Sequence, residues 1–229
     1  MKLTLFIFVL LTLSFSLNSY AEPAPNNSEL EQWFNSDDEI STDHISEGEL
    51  KFLEKPSHKP SLHSINRISI SEESLTTGWV LLEQCYENLD PVPVTEIVYQ
   101  YKSIRGLRIT SNKNIATANI DNKTIHLEYV EKNAELCIKA EVKILNKLSD
   151  ISYNLKNGPF HRKFLHGYYP YHLTLQVNYP SSIIELSSVT PANQIGFKVK
   201  REFNMLHIES HFEGMLNIQL LFKKTIANT

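Results

Sequence analysis

Residues His207-Ile208-Glu209-Ser210-His211 set two imidazoles and a carboxylate at alternate positions of one short segment. On an extended strand, alternate side chains leave the same face about 6.5–7 Å apart, within reach of a shared ion. Two imidazoles and a carboxylate suit zinc or copper. The simpler expectation is a solvated, histidine-rich strand face with no cofactor. The sharper one is a metal held by His207, Glu209 and His211, with further ligands from elsewhere in the chain.

A second group lies between Gly158 and His172. It contains His161, His166 and His172, the bases Arg162 and Lys163, and Phe160, Phe164, Tyr168, Tyr169 and Tyr171. Aromatic rings beside a guanidinium make a platform for a sugar, a peptide or an anionic ligand. His161, Arg162, Tyr168, Tyr169 and Tyr171 are therefore candidate ligand-contacting residues. A carbohydrate role requires the three tyrosines to be exposed and coplanar. The plainer reading is a connection whose rings fill a seam between β units, with room for a helical turn at 160–166.

The two cysteines, Cys85 and Cys137, are too far apart to form the Cys-x-x-Cys pair of redox enzymes. In an exported chain they are expected to form a structural disulfide. No Gly-x-Ser-x-Gly elbow, phosphate-binding glycine loop or His-Glu-x-x-His motif occurs. The reading favours a protein that is not an enzyme, with a triad assembled from distant Ser, His and Asp residues as the open alternative.

The elements that must position these residues follow a period of two. Leu136, Ile138, Ala140, Val142 and Ile144 alternate with polar residues, as do Leu173, Leu175, Val177 and Tyr179, and Leu216, Ile218, Leu220 and Phe222. Ile97, Tyr99 and Tyr101, and Ile125, Leu127 and Tyr129, repeat the pattern. Each run offers one face to a core and one to water, the pattern of antiparallel sheets. The glycines read as turn residues between these runs. Many short strands at this spacing predict an all-β, antiparallel β-sandwich, immunoglobulin-like in general architecture. Two packed units are expected, at 48–149 and 150–229, with one continuous sandwich over 48–229 as the alternative. Parity puts Cys137 with Lys139 and Glu141 on the polar face, so it is not expected to be a buried pin between sheets, and puts Cys85 on the face of Trp79 and Leu81. It likewise sends Leu206, Ile208 and Phe212 inward and His207, Glu209 and His211 outward.

Residues 1–21 have the form of a cleavable signal peptide: Lys2, an apolar run from Leu3 to Leu17, and Ser19-Tyr20-Ala21 before Glu22-Pro23. The run is shorter than the roughly 20 apolar residues of a spanning helix. A periplasmic or secreted protein without an integral membrane segment after cleavage is expected. Residues 22–50 hold nine acids and no Lys or Arg, while 51–229 carry a net charge of +4. The overall charge of −4 gives no reason to expect a nucleic-acid partner.

Residues 22–47 read as a disordered acidic leader with one amphipathic helical island near 28–36. Ser28 and Glu31 fit a capping box, and Leu30, Trp33 and Phe34 share a face. Trp33 and Phe34 are thus candidate partner-binding residues. The functional expectation is an exported, non-enzymatic binding protein whose partner is an envelope protein or peptide. The alternative is a periplasmic metal- or carbohydrate-binding accessory protein.

Overall fold

The computed structural model describes residues 48–54, 61–164 and 167–225, which belong to one compact unit. The signal-peptide and leader readings, Trp33 and Phe34 included, lie outside the described residues. The elements are β1 (Lys51–Phe52), β2 (His63–Ser69), the helical turn α1 (Ser74–Thr77), β3 (Trp79–Leu89), β4 (Val94–Val98), β5 (Ile104–Asp121), β6 (Thr124–Lys143) and β7 (Leu145–Ser149). There follow β8 (Ser152–Phe160), β9 (Lys163–Phe164), β10 (Gly167–Tyr168), β11 (Tyr171–Asn178), β12 (Ile184–Thr190), β13 (Phe197–Arg201), β14 (Met205–Glu213) and β15 (Leu216–Lys224).

The larger sheet runs β1-β14-β11-β2-β3-β6-β4, with β13 also on β14 and β5 also on β6. The smaller runs β12-β15-β8-β7, and β9 and β10 pair with each other. The chain passes repeatedly between the sheets: β6 leads into β7, β11 into β12 and then β13, and β14 turns at Gly214 into β15. The apolar residues of both sheets merge in one core, including Leu82, Leu136, Leu173, Ile208 and Phe212 from the larger and Leu155, Ile218 and Phe222 from the smaller. This is the β-sandwich that period-two alternation demands.

Four expectations need correction. The division near residue 150 is not followed, because β11 and β14 pair into the same sheet as β2, β3 and β6, and residues 145–149 are themselves a strand. The sheet is not wholly antiparallel, since β2 and β11 run parallel. Tyr129 does not continue the inward face of Ile125 and Leu127; it adopts φ 52°, is 68% exposed, and Val130 takes the buried place instead. Gly106 and Gly158 lie inside strands rather than between them, at irregularities in the β5–β6 and β8–β15 pairings. A bulge inserts one residue and reverses the parity beyond it, which uniform alternation does not reveal.

The cysteines do bond, directly across neighbouring strands: Cys85 on β3 faces Cys137 on β6, with Cα atoms 4.1 Å apart. Both sit on the outward face, Cys137 as parity places it and Cys85 together with Trp79 and Leu81. A disulfide of this kind belongs to an oxidising compartment. Among the described residues no helix is long and apolar enough to cross a membrane.

Candidate functional site

The outward face of the larger sheet carries a row of polar side chains drawn from four strands. β14 presents His207, Glu209 and His211 together, with Leu206, Ile208 and Phe212 buried behind them. The face is as expected, but the cluster is not built along β14 alone. Register places His172 of β11 opposite His211, Thr174 opposite Glu209 and Gln176 opposite His207. On the far side of β11, His63 of β2 stands level with His172, and Glu87 of β3 level with His63. Neighbouring strands lie only about 4.7–4.9 Å apart, so cross-strand neighbours are closer than alternate residues along one strand.

That spacing produces a ladder of imidazoles. The His63 and His172 rings stack at 3.7 Å between centroids, and those of His172 and His211 at 4.1 Å. A ring nitrogen of His172, a ring nitrogen of His211 and a carboxylate oxygen of Glu209 all lie within 4.8 Å of one another. His172 Nε2 donates to Glu209 Oε1. Thr174 Oγ1 donates to Glu209 Oε2 at 2.8 Å and also lies 2.9 Å from His63 Nε2, while His63 Nδ1 lies 3.1 Å from Glu87 Oε2. His207 shares the face but approaches Glu209 only to 3.7 Å and stands outside the trio. The ligand set centred on β14 is therefore corrected: His172 takes the place expected of His207.

Electrostatics mark the same residues. Burial lowers the pKa of His63 and of His211, and the nearby His172 adds to both shifts. Burial works against the Glu209 carboxylate, but hydrogen bonds from His172 and Thr174 and the charge of His172 and His63 outweigh it, holding the group at about 2. Burial thus favours neutral His63 and His211 beside an ionised Glu209, and a neutral imidazole and an ionised carboxylate are the forms that bind a metal.

Hydrogen-bond accounting adds a second signal. The single Thr174 proton goes to Glu209, an acceptor only, so His63 Nε2 must donate to Thr174. His63 Nδ1 must equally donate to Glu87. Both contacts together need the imidazolium, whereas burial pushes His63 toward neutrality. The cluster holds more acceptor oxygen than its neutral rings can satisfy.

The 158–172 segment divides between surface and core. β9 and β10 pair antiparallel in the stretch that had room for a helical turn. Arg162 pairs with Asp90 through Nη2 and, at 2.9 Å, through Nε, and its guanidinium lies 5.6 Å from the Phe164 ring and 5.8 Å from that of Tyr169. His161 meets the Tyr168 ring edge-on at 5.9 Å. Tyr169 is exposed, Tyr168 half-buried and Tyr171 buried against Phe212. The three tyrosines do not form one exposed, coplanar platform, because Tyr171 begins β11 and points inward by its parity.

His172, a member of the trio, and His63, the ring stacked on it, are the residues that reading along the chain missed. His172 does occupy a polar position of an alternating run, but only strand order shows that this run lies beside β14.

No family model matches the chain, and no curated protein and no solved structure matches it.

Proposed function

We propose that this is an exported, non-enzymatic binding protein of the cell envelope, and that the ladder on its larger sheet binds a transition-metal ion, zinc or copper(II). The observation that carries the reading is the convergence of His172, His211 and Glu209 within 4.8 Å of one another. Two imidazoles and a carboxylate match the preferences of these ions. A cation seated there replaces the proton shared by His172 and Glu209. It takes one oxygen of Glu209, while Thr174 goes on donating to the other, Oε2, and His63 Nε2 faces Thr174 Oγ1 from behind. Thr174 is in this way the group that orients the carboxylate, and His63 the group that orients Thr174.

The test is calorimetric titration of the mature protein with Zn²⁺ and Cu²⁺. One-to-one binding is expected. His172→Ala should weaken it at least about a hundredfold, and Thr174→Val by roughly 10- to 100-fold, as loss of an orienting partner does. His207→Ala should change it little. Binding no tighter than millimolar, or equal losses on removing His172 and His207, would discard the site.

The Trp33–Phe34 island supports a second activity of the same exported protein, recognition of an envelope protein or peptide. Two aromatic side chains on one short polar segment call for a covering surface.

A further inference from the structure

On the other side of the larger sheet, between the two sheets, lies a cavity of about 410 Å³. Its deep wall is formed by Leu62, Gln84, Tyr86, Tyr99, Phe160 and Tyr171, all buried. Its mouth lies between β4 and β9, where the exposed Glu96, Val98 and Phe164 reach the lining. Arg162 and Asp90 also line it, already neutralised by their mutual ion pair.

The cavity is not simply a packing fault. Gln84 is 4% exposed; its Nε2 donates to Ser64 Oγ at 3.0 Å, while its Oε1 has no partner among the described residues. The Tyr99 hydroxyl lies beside that of Tyr86 but makes no well-formed hydrogen bond. Buried polar atoms are almost always paired, so an unpaired carboxamide oxygen in the wall of a cavity marks a place for a donor. Burial raises the pKa of Tyr86, Tyr99 and Tyr101, and pushes that of Tyr171 up to about 12, so these rings stay neutral. A deep wall of aromatic and aliphatic groups without a net charge excludes an ionic guest.

We infer that this cavity is a second binding site, for an uncharged small molecule with a flat aromatic or apolar body and a hydroxyl or amide donor that reaches Gln84. Its volume falls in the range of ordinary small-molecule pockets. It is independent of the metal ladder, which occupies the opposite face of the same strands: Gln84 and Tyr86 point inward on β3 where Glu87 points outward.

The experiment compares 1-naphthol with naphthalene on the exported chain, followed by probe fluorescence. Saturable one-to-one binding of 1-naphthol is expected, at least about tenfold tighter than naphthalene, the margin of one buried hydrogen bond. Gln84→Leu should reduce 1-naphthol to the affinity of naphthalene. Ile97→Trp, a half-buried residue of the lining on β4, should narrow the entrance and weaken both probes at least about tenfold. That variant acts at the margin of the core rather than within it, and keeps the test decisive if Gln84→Leu does not fold. Absence of saturable 1-naphthol binding, equal affinity for the two probes, or unchanged affinity in Ile97→Trp would each overturn the inference.

Discussion

His63 and His211 begin to resist protonation once the pH falls below about 6.5, the ordinary value for an imidazole. Burial, then the neighbouring His172, depresses both, so the folded chain binds fewer protons than the unfolded chain in that range. Their contribution to stability is complete above pH 6.5 and is lost on acidification. Glu209 acts in the same direction further down: its folded value of about 2 lies below its ordinary 4.5, so its contribution is present above pH 4.5 and is lost as the pH falls toward 2. The other titratable groups facing the row include Glu87 on β3, His172 on β11, His207 on β14, and Lys198 and Lys200 on β13. The metal-free protein should therefore show a flat melting temperature above pH 7, a decline beginning near 6.5 and a second decline below 4.5. Replacing His63 and His211 together by Asn should remove the first decline. A melting temperature that rises between pH 7 and 5.5 would contradict the assignment.

One strand irregularity lies in the wall of the cavity, at Gly158. Gly158 sits within β8 at φ +120°, and a Cβ there would come within 2.6 Å of the Leu216 carbonyl on β15. Two physical demands coincide at this position: a backbone conformation that favours glycine, and close approach of a neighbouring strand. Gly106 in β5 has a positive φ of +60° but nothing within 4 Å of the added Cβ. Gly158→Ala should cost about 2–3 kcal/mol, roughly 4–12 °C in melting temperature for a domain of this size, and Gly106→Ala about 1 kcal/mol. Thermal melts of the two variants check this. Equal losses would show that the strand approach at Gly158 relaxes without strain. The disulfide works on the same scale, fastening β3 to β6 beside the ladder, on the face away from the cavity.

The whole chain pairs a −9 segment at residues 22–50 with a body of +4 over residues 51–229. Charge attraction alone is weak, because salt screens exposed charges beyond about 8–10 Å. Burying each aromatic side chain gains on the order of 1.5–3 kcal/mol, and this makes Leu30, Trp33 and Phe34 the effective part of the segment. If the island serves a partner, deleting residues 22–47 should leave the melting temperature nearly unchanged and abolish association with that partner. Pull-down from the envelope fraction with the full-length and deleted mature proteins reads the second effect. A large loss of thermal stability on deletion would instead place Trp33 and Phe34 in the protein's own core, and the recognition role would fall.

Much of the architecture was legible in the residues themselves. Alternation over Leu136–Ile144, Leu173–Tyr179 and Leu216–Phe222 identifies buried faces because strand side chains have a strict period of two. The same rule sends Glu209 and His211 outward together and Cys137 to the surface of the sheet. Parity fails where the backbone departs from regular pairing, as at Tyr129, since a bulge leaves no apolar gap to announce it. Which strands become neighbours is a different kind of information. His63, His172 and His211 are separated by 109 and 39 positions in the chain, yet the order β14-β11-β2 stacks them. Local alternation fixes only the face each strand buries, whereas strand order is settled by the packing of all the faces at once. The sequence alone determined the β-rich composition of the chain and the outward set on β14. Only the tertiary structure decided that His172 rather than His207 completes the ladder, because cross-strand proximity depends on which strands pair and in what register.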